Sequence, residues 1–303
     1  MSQHDASIKA ISYALVANFS IALAKSWGAW FTGSGSMLAE AIHSYADTGN
    51  QVLLYLGVVQ ARRPADAEHP LGYGKLSYFW SFIVALMLFS LGGLFAIYEG
   101  IHKLTEPTPL SQPWVGLVIL AFGVIVEGAS FLGCLRQIKR LRGEKSLREW
   151  LRTTRNAELV VVLGEDLAAM IGLFLAFIFL GISAITENPM FDAIGSICIG
   201  VVLIIVSLFI AVRIKALIVG RSARPDLQAI IDGIIRDDPQ VAQVFNVITF
   251  QIGPSIMLAA KIRLQAQLSV SEAAEHINAL EVRLKAAVPE ISWCFMEPDT
   301  TDC

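Results

Sequence analysis

The run from Ser36 to Leu56, SMLAEAIHSYADTGNQVLLYL, is apolar enough to cross a bilayer, yet it carries Glu40, His43, Asp47 and Asn50. These positions advance by three, four and three residues, which on a helix makes one polar stripe. His43 and Asp47 stand one turn apart, the spacing at which an imidazole and a carboxylate can both reach one metal ion. An ionisable side chain at membrane depth costs roughly 2.5–3.5 kcal/mol on insertion scales. Such a stripe needs a partner, a cavity or a cargo. It is either a buried polar seam that holds helices together or an ion site.

Two ligands are too few for zinc, which usually takes four. A second apolar run, VVVLGEDLAAMIG, offers Glu165 and Asp166. Adjacent helical residues face about 100° apart, so one acid faces the site and the other a neighbouring helix or water. The residues alone leave open which does which, and an acidic pair at the membrane–water boundary is the plainer alternative. Glu127 in GVIVEGASF sits deep in another apolar run and suits a helix–helix hydrogen bond or a proton path. Lys25 can snorkel to the interface, and Asp192 suits a first helical turn. His102 and His276 read as surface or interface residues, and His4 belongs to a tail. In the loop PADAEHPLGYGK, Asp66 and His69 could share a metal or simply form a solvated turn. Lys75 could pair with an acid of a partner subunit or of the C-terminal domain. Cys134, Cys198, Cys294 and Cys303 show no CxxC spacing and suggest neither a disulfide frame nor a thiolate site.

The elements that must position these residues follow from composition. With 55 % hydrophobic and 16 % charged residues, the 303-residue chain is too apolar for a soluble protein and reads as a polytopic membrane protein. A net charge of −3 argues against a nucleic-acid partner. No nucleophile–base pair or phosphate loop points to an enzyme, and no cofactor is expected. Six segments, near 8–31, 36–59, 77–102, 113–136, 157–183 and 190–214, are long enough to span a core of about 30 Å. Loops rich in Arg and Lys alternate with loops nearly free of them, which puts both termini in the cytoplasm. The N-terminal residues lack the pattern of a signal peptide, which favours a bacterial inner membrane.

Past Arg221 the pattern turns soluble. RPDLQAIIDGIIRDD reads as an amphipathic helix, VFNVITFQI and IMLAAKIRLQ as strands joined at Gly253-Pro254-Ser255, and Ser269 with Glu272 as a capping box. The helix this box opens runs to about Ala287, and ISWCFMEP is a last strand. The expected fold is thus a six-helix α-helical membrane bundle over residues 1–220, followed by an α+β ferredoxin-like domain over 221–303.

The chain resembles the cation diffusion facilitator family along nearly its whole length. AEAIHSYAD followed by NQVLLYLG looks like the family's second transmembrane helix. HPLGYGKLSYFW looks like the entry to its third, LGEDLAAMIGL occupies the place of its fifth-helix motif, and FMEPD resembles its last strand. The resemblance implies a homodimeric antiporter that exports divalent metal, chiefly zinc, in exchange for protons by alternating access. It assigns His43, Asp47 and Asp166 as ligands, while Val162 stands where a fourth His or Asp is usual. That role falls to Glu165, a water, Glu40 or Asn50, and oxygen-rich ligation extends the metal range to iron, cobalt, nickel, manganese or cadmium. Asp66 and His69 match a second zinc site of some members, with Tyr73 replacing a further His, and Lys75 matches a dimer-locking lysine. The C-terminal domain resembles the family's metallochaperone-like dimerisation module without its histidine cluster. The alternative is a scaffold or regulator of the same fold that no longer transports.

Overall fold

The computed structural model describes residues 3–32, 35–106, 113–265 and 268–301. It divides into two compact units. The first holds the helices up to Gln60, together with Leu76–Lys145 and Asn156–Lys215. Its helices are α1 (Gln3–Thr32), α2 (Gly35–Gln60), α3 (Leu76–Met87), α4 (Phe95–Thr105), α5 (Pro113–Arg142), α7 (Ala157–Thr186) and α8 (Met190–Val219). A π-helical stretch, Leu88–Leu94, joins α3 to α4, so that Leu76–Thr105 is one rod. Among the described residues, this rod, α5, α7 and α8 are long and apolar enough to cross a membrane. The first two helices have 30 and 26 residues, against the roughly 20 that a span requires.

The helix α7 packs on α5 and also touches α1 and α3. The α5–α7 seam is antiparallel and built on small residues: Gly116 faces Leu180, Gly123 faces Leu173 and Gly128 faces Met170. Glycine lets the helices approach closely where bulky side chains would hold them apart. The same register brings Ser130 to Asp166. It therefore fixes the rotation of α7 and decides where its two acids point.

The second unit is made of Ala61–Lys75, Ser146–Arg155 and the chain from Ala216 on. Its C-terminal part runs α9 (Pro225–Arg236), β1 (Val241–Ile252), β2 (Ser255–Leu264), α10 (Val270–Ala287), β3 (Ile291–Pro298). The sheet has the order β1-β2-β3, antiparallel between the first two strands and parallel between the last two. Ile256, Leu258 and Ile262 alternate along β2 and bury themselves against Ile231 and Ile235 of α9 and Leu280 and Leu284 of α10. The hairpin turns at Gly253, with φ +59°. Helix α10 opens on the expected capping box: Ser269 Oγ accepts from Glu272 N–H, and Glu272 Oε2 accepts from Ser269 N–H at 2.8 Å.

Two features were not foreseen. A short helix, α6 (Leu147–Thr153), capped by Ser146, lies in what the sequence presents as a basic loop. The unit also draws in two loops that precede its single boundary in the sequence near residue 220. Backbone contact explains this for the first loop: a Cβ on Gly74 would lie 2.4 Å from the Ile252 carbonyl oxygen. The Lys75 ammonium sits 4.6 Å from the centre of the Phe250 ring and 3.4 Å from Ile218 O. For the second loop, Arg155 donates to the carbonyls of Ser222 and Ala223 at 2.9 and 3.3 Å.

Candidate cation site

Helix α7 starts where the Asn156 side chain accepts from Leu159 N–H at 3.0 Å. It then runs unbroken to Thr186, so Glu165 and Asp166 arrive roughly 12 Å along its axis, at 1.5 Å per residue. Their carboxylates go separate ways. Glu165 turns to α2, where Gln51 Nε2 donates to its Oε2 at 2.6 Å. Asp166, 4 % exposed, turns to α5, where Ser130 Oγ lies 3.4 and 3.5 Å from its two oxygens. The expected divergence of adjacent acids is present, and it is Glu165 that joins the helix carrying His43 and Asp47.

The electrostatic surroundings do not divide in this way, since the acids of α2, α5 and α7 act on one another. Asp47, Asp166 and Glu127 are all close enough to act on Glu165. Glu127 also acts on Asp166. Asp47 is half-buried. Asn50 and Gln51 are buried, and neither the Oδ1 of Asn50 nor the Oε1 of Gln51 meets a donor among the described residues. The side chains of Glu40, His43, Lys25 and His4 lie outside the described residues. Val162 is fully buried. Among the described residues, no three His, Cys, Asp or Glu side chains gather at metal-binding distance.

The loop residues are tightly engaged with one another. Asp66 Oδ1 accepts from the N–H groups of Glu68 and His69 at 3.1 and 2.7 Å, and its Oδ2 accepts from the Tyr73 hydroxyl at 2.6 Å. The Tyr73 hydroxyl and the backbone amide of His69 hold the Asp66 carboxyl below the ordinary Asp range, and the same bond raises Tyr73. The His69 ring lies 4.2 Å from that of Tyr73. This arrangement staples a turn. Elsewhere, Asp192 pairs with Lys103 at 3.2 Å. His276 is less of a surface residue than its sequence suggests, since its Nε2 lies 2.8 Å from the buried Asp238 carboxylate.

Sequence reading passed over two participants, Gln51 and Ser130. Both carry a signal in hindsight. Gln51 completes the straight row 43–47–51 at four-residue steps, which the stripe through Asn50 bypasses, and Ser130 stands one turn beyond Glu127.

Comparison with known proteins bears on the whole bundle. A family profile described as the cation efflux transmembrane domain matches residues 11–216. The chain is 35 % identical over 243 residues, 79 % of its own length and 43 % of the relative's, to the proton-coupled zinc antiporter SLC30A9, mitochondrial, of Xenopus laevis. It is 32 % identical over 266 residues to metal tolerance protein C4 of Arabidopsis thaliana, covering 86 % of this chain and 58 % of the relative. With the cation-efflux pump FieF of Shewanella oneidensis it shares 25 % identity over 94 % of this chain and 92 % of the relative. The chain thus spans less than half the length of the vertebrate relative and about all of the bacterial one. With the family's transmembrane profile covering about two thirds of it, this multi-pass membrane chain belongs to the cation efflux, or cation diffusion facilitator, family.

Proposed function

We propose that this chain moves a divalent cation, zinc foremost, across a bilayer in exchange for protons. The observation that carries the reading is the 2.6 Å bond from Gln51 to Glu165, which brings a carboxylate of α7 onto α2 within electrostatic reach of Asp47. The cation would bind between these helices through His43, Asp47 and Asp166, with Glu165 beside them as a further donor. The names of the relatives, which include a zinc antiporter coupled to protons, favour this cargo and counter-ion. A ligating imidazole must be neutral and a ligating carboxylate ionised, so proton uptake on one side of the membrane displaces the metal there. Alternating access of the site then couples the two gradients.

In this reading α1 and α2 complete six spans over residues 1–220, and residues 221–303 form a cytoplasmic domain through which two chains pair. The membrane is a bacterial inner membrane or the mitochondrial one named for the vertebrate relatives. Asp47→Ala and Glu165→Ala should each cut metal-driven proton flux in proteoliposomes by about 100-fold or more. Near-wild-type flux in both would overturn the assignment.

A non-transporting scaffold is the second reading, favoured by the buried Val162 in place of a ligand. The two readings separate in a thermal melt. A transporter gains stability with cation concentration as ln(1 + [L]/Kd), whereas a scaffold gains none.

A further inference from the structure

The rod Leu76–Thr105 changes partners partway along. Its first half, α3, is fastened to α2 and α7. The Trp80 ring nitrogen donates to Gln60 Oε1 at 2.9 Å, a Cβ on Gly57 would lie 2.9 Å from that of Trp80, and Ser77 bonds the Glu158 side chain. From Gly93 on, the rod is fastened to α8, backbone against backbone. A Cβ on Gly200 would lie 2.7 Å from Gly93 O, and one on Gly100 would lie 2.8 Å from Ala193 O. Lys103, in the last turn of α4, pairs with Asp192, in the first turn of α8. Where the partners change stands the π-helical stretch Leu88–Leu94. We infer that this stretch is a joint, at which α4 swings together with α8 while α3 stays with the helices that carry Asp47 and Asp166. The inference rests on the antiport reading above and adds the device by which the site changes sides.

The local backbone suits a joint. A π turn bonds each N–H to the carbonyl five residues back, against four in an α turn, so the rod holds a residue more than a plain α-helix would. At the end of the stretch the Phe95 N–H is shared between Ser90 O, five residues back, and Gly92 O, three back. One donor thus serves two registers, and a shift between them breaks no bond outright. At the start, the Ser90 hydroxyl donates to Leu86 O at 2.8 Å and holds a carbonyl whose backbone donor changes when the register moves. Gly92 and Gly93 follow one another inside the stretch, and glycine accepts changed backbone angles most freely. Helices bend sharply at such points.

The anchorages of α8 also differ in kind. It meets α7 through side chains, with Ile210 at Gly164, Ile199 at Gly172 and Phe179 at Gly195. Packed side chains slide past one another in shear motions, whereas the close backbone contact with α4 holds those two helices as a pair.

The test takes out the extra residue. Leu91 is 53 % exposed, so its deletion removes no buried contact, and it leaves a continuous α-helical path through the rod. Gly92→Ala stiffens the same turn, and its methyl would meet Leu203 at 3.4 Å, an ordinary contact. Both full-length variants should bind Zn²⁺ in isothermal titration as wild type does. Zinc-driven proton flux in proteoliposomes should fall about tenfold or more on deletion and about threefold with Gly92→Ala. Wild-type flux in a deletion variant that still binds zinc overturns the joint. If the deletion variant loses zinc binding, its fold has changed and Gly92→Ala decides. Full flux there overturns the joint, and reduced flux beside unchanged zinc affinity upholds it. Wild-type protein without any zinc-driven flux overturns the antiport reading itself, and the joint with it.

Discussion

The two units of this chain treat buried polar groups in opposite ways. In the C-terminal domain, the Asp238 side chain is fully buried and fully used: one oxygen meets His276 and the Gln240 N–H, and the other meets Arg283. In the helical bundle, the buried side-chain oxygens of Asn50, Gln51, Ser81 and Gln137 have no partner among the described residues. Every buried polar atom carries a desolvation cost, and a bond to protein offsets it. The domain closes that balance at Asp238, while its buried Arg224 Nε, without a hydrogen bond among the described residues, lies 3.4 Å from Asp226. The bundle leaves several acceptors open along its interior, as a protein must if something polar is to pass through and be held in transit. Satisfied groups mark structure, and unsatisfied ones mark candidate function.

That contrast can be broken at either end. The largest expected effect is in the domain: Asp238→Ala removes the shared acceptor of His276, Arg283 and the Gln240 N–H and should cost about 2 kcal/mol of stability. Hydrogen exchange of the β-strand amides of the full chain under increasing denaturant measures it. Cation affinity of the folded chain should not change. An opposite and smaller effect belongs to the bundle. Ser81 is fully buried with an unpartnered hydroxyl, so Ser81→Ala should stabilise by about 1 kcal/mol. A higher melting temperature in detergent would bear this out. A lower one would mean that the hydroxyl already has a partner, and the comparison would lose one of its members.

Much of this was legible in the residues, for physical reasons that also explain what was not. Long apolar runs broken by short loops had to be helices, and the order of helices and strands after Arg221 follows from capping residues, alternation and the Gly253 turn. The His43–Asp47 pair stood out as a candidate because ionisable groups are costly in lipid. Which of Glu165 and Asp166 meets α2 was not readable, because both lie on α7 and only its rotation separates them. That rotation is set by glycines on α5, against which Leu173, Leu180 and Met170 seat. A pattern on one helix carries no information about which face a neighbour will claim. The Gln51 bond to Glu165 was missed for a related reason. A stripe of 3.6 residues per turn can be traced through 50 or through 51, and only contact with α7 selects 51. The gathering of two early loops into the second unit depends on backbone meeting backbone at Gly74, which no side-chain pattern announces.

The smallest expected effect probes how far the domain's pairing extends to its surface. Lys261 Nζ lies 2.7 Å from Asp299 and 3.7 Å from Glu297, at the end of β3. The bond from Lys261, aided by the N–H groups of Thr300 and Thr301, holds the Asp299 carboxyl below the ordinary Asp value of 3.8. A group whose folded value is depressed binds its proton less readily folded than unfolded. Its contribution is therefore complete above the unfolded value and is lost as pH falls through that value and on through the folded one. An acid titration of the melting temperature should thus steepen below about pH 4, and Lys261→Met should remove part of that slope while leaving neutral-pH stability nearly untouched, as for other solvent-accessible pairs. An unchanged slope would mean that solvent screens the pair completely. The domain's closed balance would then stop at its interior, at Asp238, and would not reach the strand end.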